Sequence, residues 1–157
     1  MREHFDVFLA VMAALHRERV DYVLVGGYAV IIHGFPRFTQ DVDLFVNVDD
    51  HNVYLLRKAL EYIFHDIALE EITAQELTEY PVIRYASPDG FIIDIIGRLG
   101  EMTVYNDLSY ETVEIDGIPV RVATPESLYK MKYNTVRPQD RLDAAFLKRL
   151  LEQHQEP

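Results

Sequence analysis

Asp41 and Asp43 stand one residue apart at the head of an apolar run, Asp41-Val42-Asp43-Leu44-Phe45-Val46. In a strand, side chains two apart share a face, so the two carboxylates project side by side. Adjacent carboxylates repel unless a proton or a cation neutralises them. Mg²⁺ and Mn²⁺, which prefer oxygen ligands, suit that role. Upstream, Tyr22-Val23-Leu24-Val25 ends in Gly26-Gly27. There the backbone can approach a ligand closely, and what reads as a helix N-terminus is a good place for phosphate. A third carboxylate, Asp94, stands amid Ile92, Ile93, Ile95 and Ile96. It is costly to bury unless paired or metal-bound; its alternative is a residue at a solvent edge. A phosphate site and a metal site on adjoining elements point to chemistry on a nucleotide.

These residues need rigid elements beneath them. Phe5, Phe8, Leu9, Met12 and Leu15 recur at helical spacing and predict an amphipathic helix over 3–18. A strand over 21–26 follows, then a short buried helix over 28–33 ended by Gly34. Phe35-Pro36 forces an irregular connection, and a strand over 42–48 carries the Asp pair. Asp49-Asp50 reads as the cap of a helix through Phe64, and 73–79 as a short helix. Val82–Ala86 and Phe91–Ile96 form a hairpin about Ser87-Pro88-Asp89-Gly90. Glu111–Ile115 and Ile118–Val122 form a second about Asp116-Gly117. A helix opens at Thr124-Pro125-Glu126, and a last one runs from about Gln139. The alternation predicts an α/β (α+β) fold: a small mixed, twisted sheet flanked by helices.

A chain of 157 residues, 49% apolar, is expected to form a single domain over 1–157, with its core over about 20–123 and a helical part over about 124–157. It holds no cysteine, which excludes disulfides and thiolate metal sites. His4, His16, His51, His65 and His154 have no metal spacing, and His33 reads as a core or helix-end histidine. The net charge of −11 argues against a broad nucleic-acid footprint. Lys130, Lys132, Arg137, Arg141, Lys148 and Arg149 gather near the C-terminus, as solvated helix faces or as a local basic groove. Arg2-Glu3-His4 leads into a charged amphipathic segment rather than a signal peptide, and no apolar run approaches the ~20 residues of a membrane span. The expectation is a cytoplasmic protein without a membrane partner.

Val25-Gly26-Gly27, thirteen residues (28 to 40), then Asp41-Val42-Asp43-Leu44 resembles the signature of the polymerase-beta-like nucleotidyltransferase superfamily. Arg37-Phe38-Thr39 and the late Lys132…Arg137…Asp140 segment are similar to its small prokaryotic branch, which contains the AbiEii-type toxins. The resemblance implies a nucleotidyltransferase fold and a catalytic, metal-binding triad of Asp41, Asp43 and Asp94 holding two Mg²⁺ or Mn²⁺ ions. It implies nucleotide contacts from Gly26, Gly27 and Lys132. Arg37 and Thr39 are phosphate contacts or, on even terms, an exposed loop arginine and a locally bonded threonine. Arg137, Asp140 and Asp143 match more loosely and read also as helix ion pairs.

The expected reaction is metal-dependent transfer of NMP from an NTP, ATP among them, to a hydroxyl on a protein, a tRNA end or a small molecule. The setting would be a toxin–antitoxin pair, with a cognate antitoxin or toxin as partner, or a resistance system. The alternative is a binding partner that keeps the fold without catalysis. A phosphohydrolase using the same carboxylates is less attractive without a histidine cluster.

Overall fold

The computed structural model describes residues 3–100, 103–132 and 137–155. Its frame is a six-stranded mixed sheet in the order β3-β4-β2-β1-β8-β7. The strands are β1 (Tyr22–Val25), β2 (Val42–Val46), β3 (Val82–Ala86), β4 (Ile92–Ile96), β7 (Tyr110–Ile115) and β8 (Ile118–Ala123). β5 (Arg98–Leu99) and β6 (Thr103–Val104) make a separate two-stranded ribbon that the sequence did not signal. The helices are α1 (His4–Arg17), α2 (Gly26–Ile32), α3 (Asp50–Phe64), α4 (Ala74–Glu79), α5 (Pro125–Lys132) and α6 (Pro138–Gln155). The α/β expectation therefore holds.

The pattern of burial follows the apolar spacing. Phe8, Val11, Met12 and Leu15 of α1 are buried together with Val53, Leu56 and Leu60 of α3, and the two helices pack on each other. The central strands are apolar nearly throughout: all four residues of β1 are buried, and so are Leu44, Phe45 and Val46 of β2. Asp49 caps α3, its Oδ1 accepting from the Asn52 amide at 2.7 Å. Asn52 in turn bridges the Asp21 and Asn47 carbonyls, which ties the start of β1 to the end of β2.

Several boundaries differ from expectation by a residue or two, and two helix starts do so for backbone reasons. α2 begins at Gly26, not at residue 28, because glycine at φ +71 carries the chain straight out of β1 into the helix. α6 begins at Pro138, one residue ahead of the expected start; proline lacks an N–H that the first helical turn would leave unbonded anyway, so it opens the helix.

The sheet's central pairings set up the site. β1 and β2 are antiparallel, with Val25 opposite Asp43, so β1 ends where β2 begins. β2 and β4 are parallel, with Asp43 opposite Asp94. β3 returns antiparallel on β4, with Arg84 opposite Asp94.

Candidate active site

Strand geometry alone gathers four charged side chains. Residues opposite one another across a ladder share a face, and residues two apart on one strand share it too. Arg84, Asp94, Asp43 and Asp41 are linked in that way across β3, β4 and the head of β2. The Asp94 side chain is 14% exposed and that of Asp41 35%. Arg84 reaches over both. Its Nε donates to Asp94 Oδ1 at 2.9 Å, and one terminal nitrogen donates to Asp94 Oδ2 and Asp41 Oδ2, each at 3.1 Å.

Among the described residues, no ion pair joins a cation to Asp43 in this way. Burial, then the charge of Asp94 and a hydrogen bond with Asp94, push its carboxyl up to about 7; Lys132 pulls the other way. Its carboxyl therefore holds a proton more readily than an exposed aspartate does, and a bound cation would oppose that.

The glycines fit around these groups at close quarters. A Cβ on Gly26 would overlap the Asp43 carboxylate, so the backbone turn and the acid occupy a space that only glycine permits. A Cβ on Gly27 would lie 2.7 Å from Thr39 Oγ1 and 2.9 Å from an Arg37 nitrogen. The connection between α2 and β2 thus folds Arg37 and Thr39 back over the first turn of α2. The N-cap, Val25, has no side-chain acceptor for the amides of that turn.

A second cluster joins this connection to the C-terminal helices. Arg37 donates to Asp143 Oδ2 at 2.8 Å, and Lys132 Nζ lies 3.0 Å from the same oxygen and 2.9 Å from Asp140 Oδ1. Gln139 donates to Asp143 Oδ1 at 2.9 Å. Asp143 is wholly buried, so its two cations and one amide replace the water it has lost. The Nε of Arg37 is buried with no hydrogen-bond partner.

Of the residues expected from sequence, Asp41, Asp43 and Asp94 share one sheet end, Gly26 abuts Asp43, and Gly27 abuts Arg37 and Thr39. Lys132 is paired to Asp140 and Asp143, within electrostatic reach of Asp43. His33 bonds the Ala123 carbonyl at 2.8 Å, as a core histidine would. Sequence reasoning missed Arg84 altogether and gave Asp143 only a loose reading. A symmetric count of the hairpin sets Arg84 opposite Ile93, so the turn residues held no signal for its pairing with Asp94, whereas a carboxylate one helical turn from Asp140 held the signal for Asp143.

Oxygen donors of this kind suit Mg²⁺ or Mn²⁺, and Arg84 already stands as a cation against two of them. Even so, among the described residues no group of three or more His, Cys or acidic side chains is set to hold a metal ion. A cavity of about 720 Å³ between α3 and the turn at 67–71, lined by Tyr54, Arg57 and His65 among others, contains none of the site residues.

The family described as "Nucleotidyl transferase AbiEii toxin, Type IV TA system" matches residues 8–147. JHP933 from Helicobacter pylori superposes with a TM-score of 0.56 at 21% identity, over 96% of this chain and 67% of its own. The lincosamide antibiotic adenylyltransferase LnuA, solved with lincomycin bound, gives 0.56 at 14% identity, over 91% and 95%. ANT(2")-Ia in complex with adenylyl-2"-tobramycin gives 0.52 at 17% identity, over 94% and 90%. These likenesses show a shared fold. Curated protein sequences return no match.

Proposed function

The chain belongs to the AbiEii nucleotidyl transferase family, and from that premise we propose that it moves NMP from an NTP to a hydroxyl acceptor with the help of divalent metal. The observation that carries this reading is the shared face of Asp41, Asp43 and Asp94, set directly against Gly26. Two Mg²⁺ or Mn²⁺ ions held by these carboxylates would neutralise triphosphate charge and make the acceptor hydroxyl more acidic.

The chain's own residues supply the rest. The uncapped amides at Gly26 and Gly27 receive phosphate oxygens. Arg37, whose buried Nε lacks a partner, turns that donor to the triphosphate, with Thr39 beside it. Lys132 adds positive charge from the C-terminal side. The acceptor oxygen bonds to the α-phosphorus as the α-phosphorus–oxygen bond to pyrophosphate breaks, and Asp94 takes the hydroxyl proton. Positioning and charge neutralisation carry the catalysis.

LnuA and ANT(2")-Ia make a small hydroxylated molecule one acceptor class to test, beside protein and tRNA ends. Membership in a toxin family adds a cognate antitoxin as partner. No helix among the described residues is long and apolar enough to cross a membrane, and we place the enzyme in the cytoplasm.

The test is incubation with each labelled NTP, ATP first, plus Mg²⁺ and acceptors of the three classes, read by mass spectrometry for an added NMP. Transfer by the parent and none by Asp43→Asn supports the reading. No adduct on any acceptor, and no pyrophosphate released, would overturn it.

A further inference from the structure

Arg84 belongs to the carboxylate cluster by geometry, yet no step of the transfer reaction calls on it. It sits on β3, at one edge of the sheet, and its guanidinium extends across β4 to the head of β2. There it makes a two-pronged pair with Asp94, at 2.9 and 3.1 Å, and a third contact with Asp41 at 3.1 Å. The two acids therefore turn oxygens toward a cation that the chain itself supplies. A planar fork matches a carboxylate in this way; an ammonium would not.

We propose that Arg84 is the resident counter-ion of this cluster, and that a divalent cation must displace it from Asp94 and Asp41 to bind. This deepens the proposed function and rests on its assignment of metal to these carboxylates.

Two observations support displacement over a static brace. Both Asp94 carboxylate oxygens and one of Asp41, on acids assigned to the metal, are engaged by the guanidinium. And Arg84 has room to leave, because its side chain is 59% exposed and bonds to nothing but these two acids among the described contacts. A guanidinium within about 3 Å of the ligand oxygens also repels an incoming cation directly. Metal on its own then binds weakly. A metal already carried by a triphosphate competes better, since the phosphates offer the released guanidinium another anion.

The experiment is titration of metal-free protein with Mn²⁺ in the absence of nucleotide, with free Mn²⁺ read by electron paramagnetic resonance. Arg84→Gln should bind Mn²⁺ about tenfold more tightly than the parent, or better. Arg84→Met, which keeps the aliphatic stem, should do the same. Both should fold, since the position is an exposed edge. Lys58→Gln, which also removes one positive charge but from α3 beside Glu18, should shift the affinity less than about twofold.

Unchanged or weaker Mn²⁺ binding in both Arg84 variants overturns the proposal, as does equal tightening in Lys58→Gln. NMP transfer is scored separately. Transfer by the parent with no effect of Arg84 on Mn²⁺ removes the displacement alone. Tighter Mn²⁺ in the Arg84 variants with no transfer to any acceptor removes the transferase reading alone.

Discussion

Asp43 and Asp94 face each other in register on two adjacent parallel strands, and burial together with the charge of Asp94 raises the Asp43 carboxyl. Two acids so placed hold on to a proton, and the folded chain therefore takes up a proton that the unfolded chain releases more easily.

That difference has a sign. The Asp43 carboxyl is raised from 3.8 to about 7. Below about pH 4 both states are protonated and the contribution to stability is intact; it is lost as pH rises through about 7. In metal-free protein, Asp43 should thus remove up to about 1.4 kcal/mol per pH unit across that window. Asp43→Asn should be more stable than the parent at pH 8, with the gap closing toward pH 4. Melting curves in chelator across pH 4 to 8 check this, and parallel curves for the two proteins would refute it. Mg²⁺ or Mn²⁺ with NTP should raise the parent's melting temperature and leave that of Asp43→Asn unmoved.

The two glycines should fail differently. Gly26→Ala combines a φ of +71 with overlap of the Asp43 carboxylate. It should lose more than ~1–3 kcal/mol, the scale of backbone strain alone, and lose nucleotide binding too. Gly27→Val should push aside Thr39 and Arg37 and weaken binding of a non-hydrolysable NTP with Mg²⁺. Gly34→Ala, strained at φ +110 but with open space around it, should cost stability and spare binding. Denaturant titration and calorimetry separate the three. Parent-like nucleotide affinity in Gly27→Val would take that glycine out of the site.

Asp143 is expected to hold the C-terminal helices to the connection ahead of β2. Asp143→Ala strands Arg37 and leaves Lys132 with Asp140 alone, where two cations had gathered on one buried acid. The loss should be about 3–5 kcal/mol, as when one partner of a buried ion pair is removed. Chemical denaturation measures it; a change under 1 kcal/mol would mean that the cluster is solvated in solution.

Asp94→Asn should keep most NTP–metal affinity, because the triphosphate brings ligands of its own. Transfer should fall by ~10²-fold or more if the carboxylate receives the acceptor's proton. Single-turnover kinetics beside nucleotide calorimetry tell the two effects apart. Transfer at the parent rate would reduce Asp94 to a strand residue.

The sequence by itself determined the local choices. The short apolar, β-prone runs made β2 and β4, the helical spacing of Phe8, Met12 and Leu15 made α1, and Asp49 capped α3. Asp41 and Asp43 share a face on any strand, because side-chain alternation is a property of the extended chain. Partners across strands are another matter. A hairpin counted symmetrically about the four residues 87–90 pairs Ala86 with residue 91 and sets Arg84 opposite Ile93. In the structure Ser87 and Phe91 close the turn, with the Ser87 amide donating to the Phe91 carbonyl at 2.8 Å and Gly90 at φ +86. That one-residue slip pairs Ala86 with Ile92 and puts Arg84 opposite Asp94 instead. The parallel register of Asp43 with Asp94, and the reach of Asp143 back to Arg37 over 106 residues, join segments that no turn connects. They depend on how buried faces from distant segments fit together, which no local period encodes, so tertiary packing decided that those charges would meet.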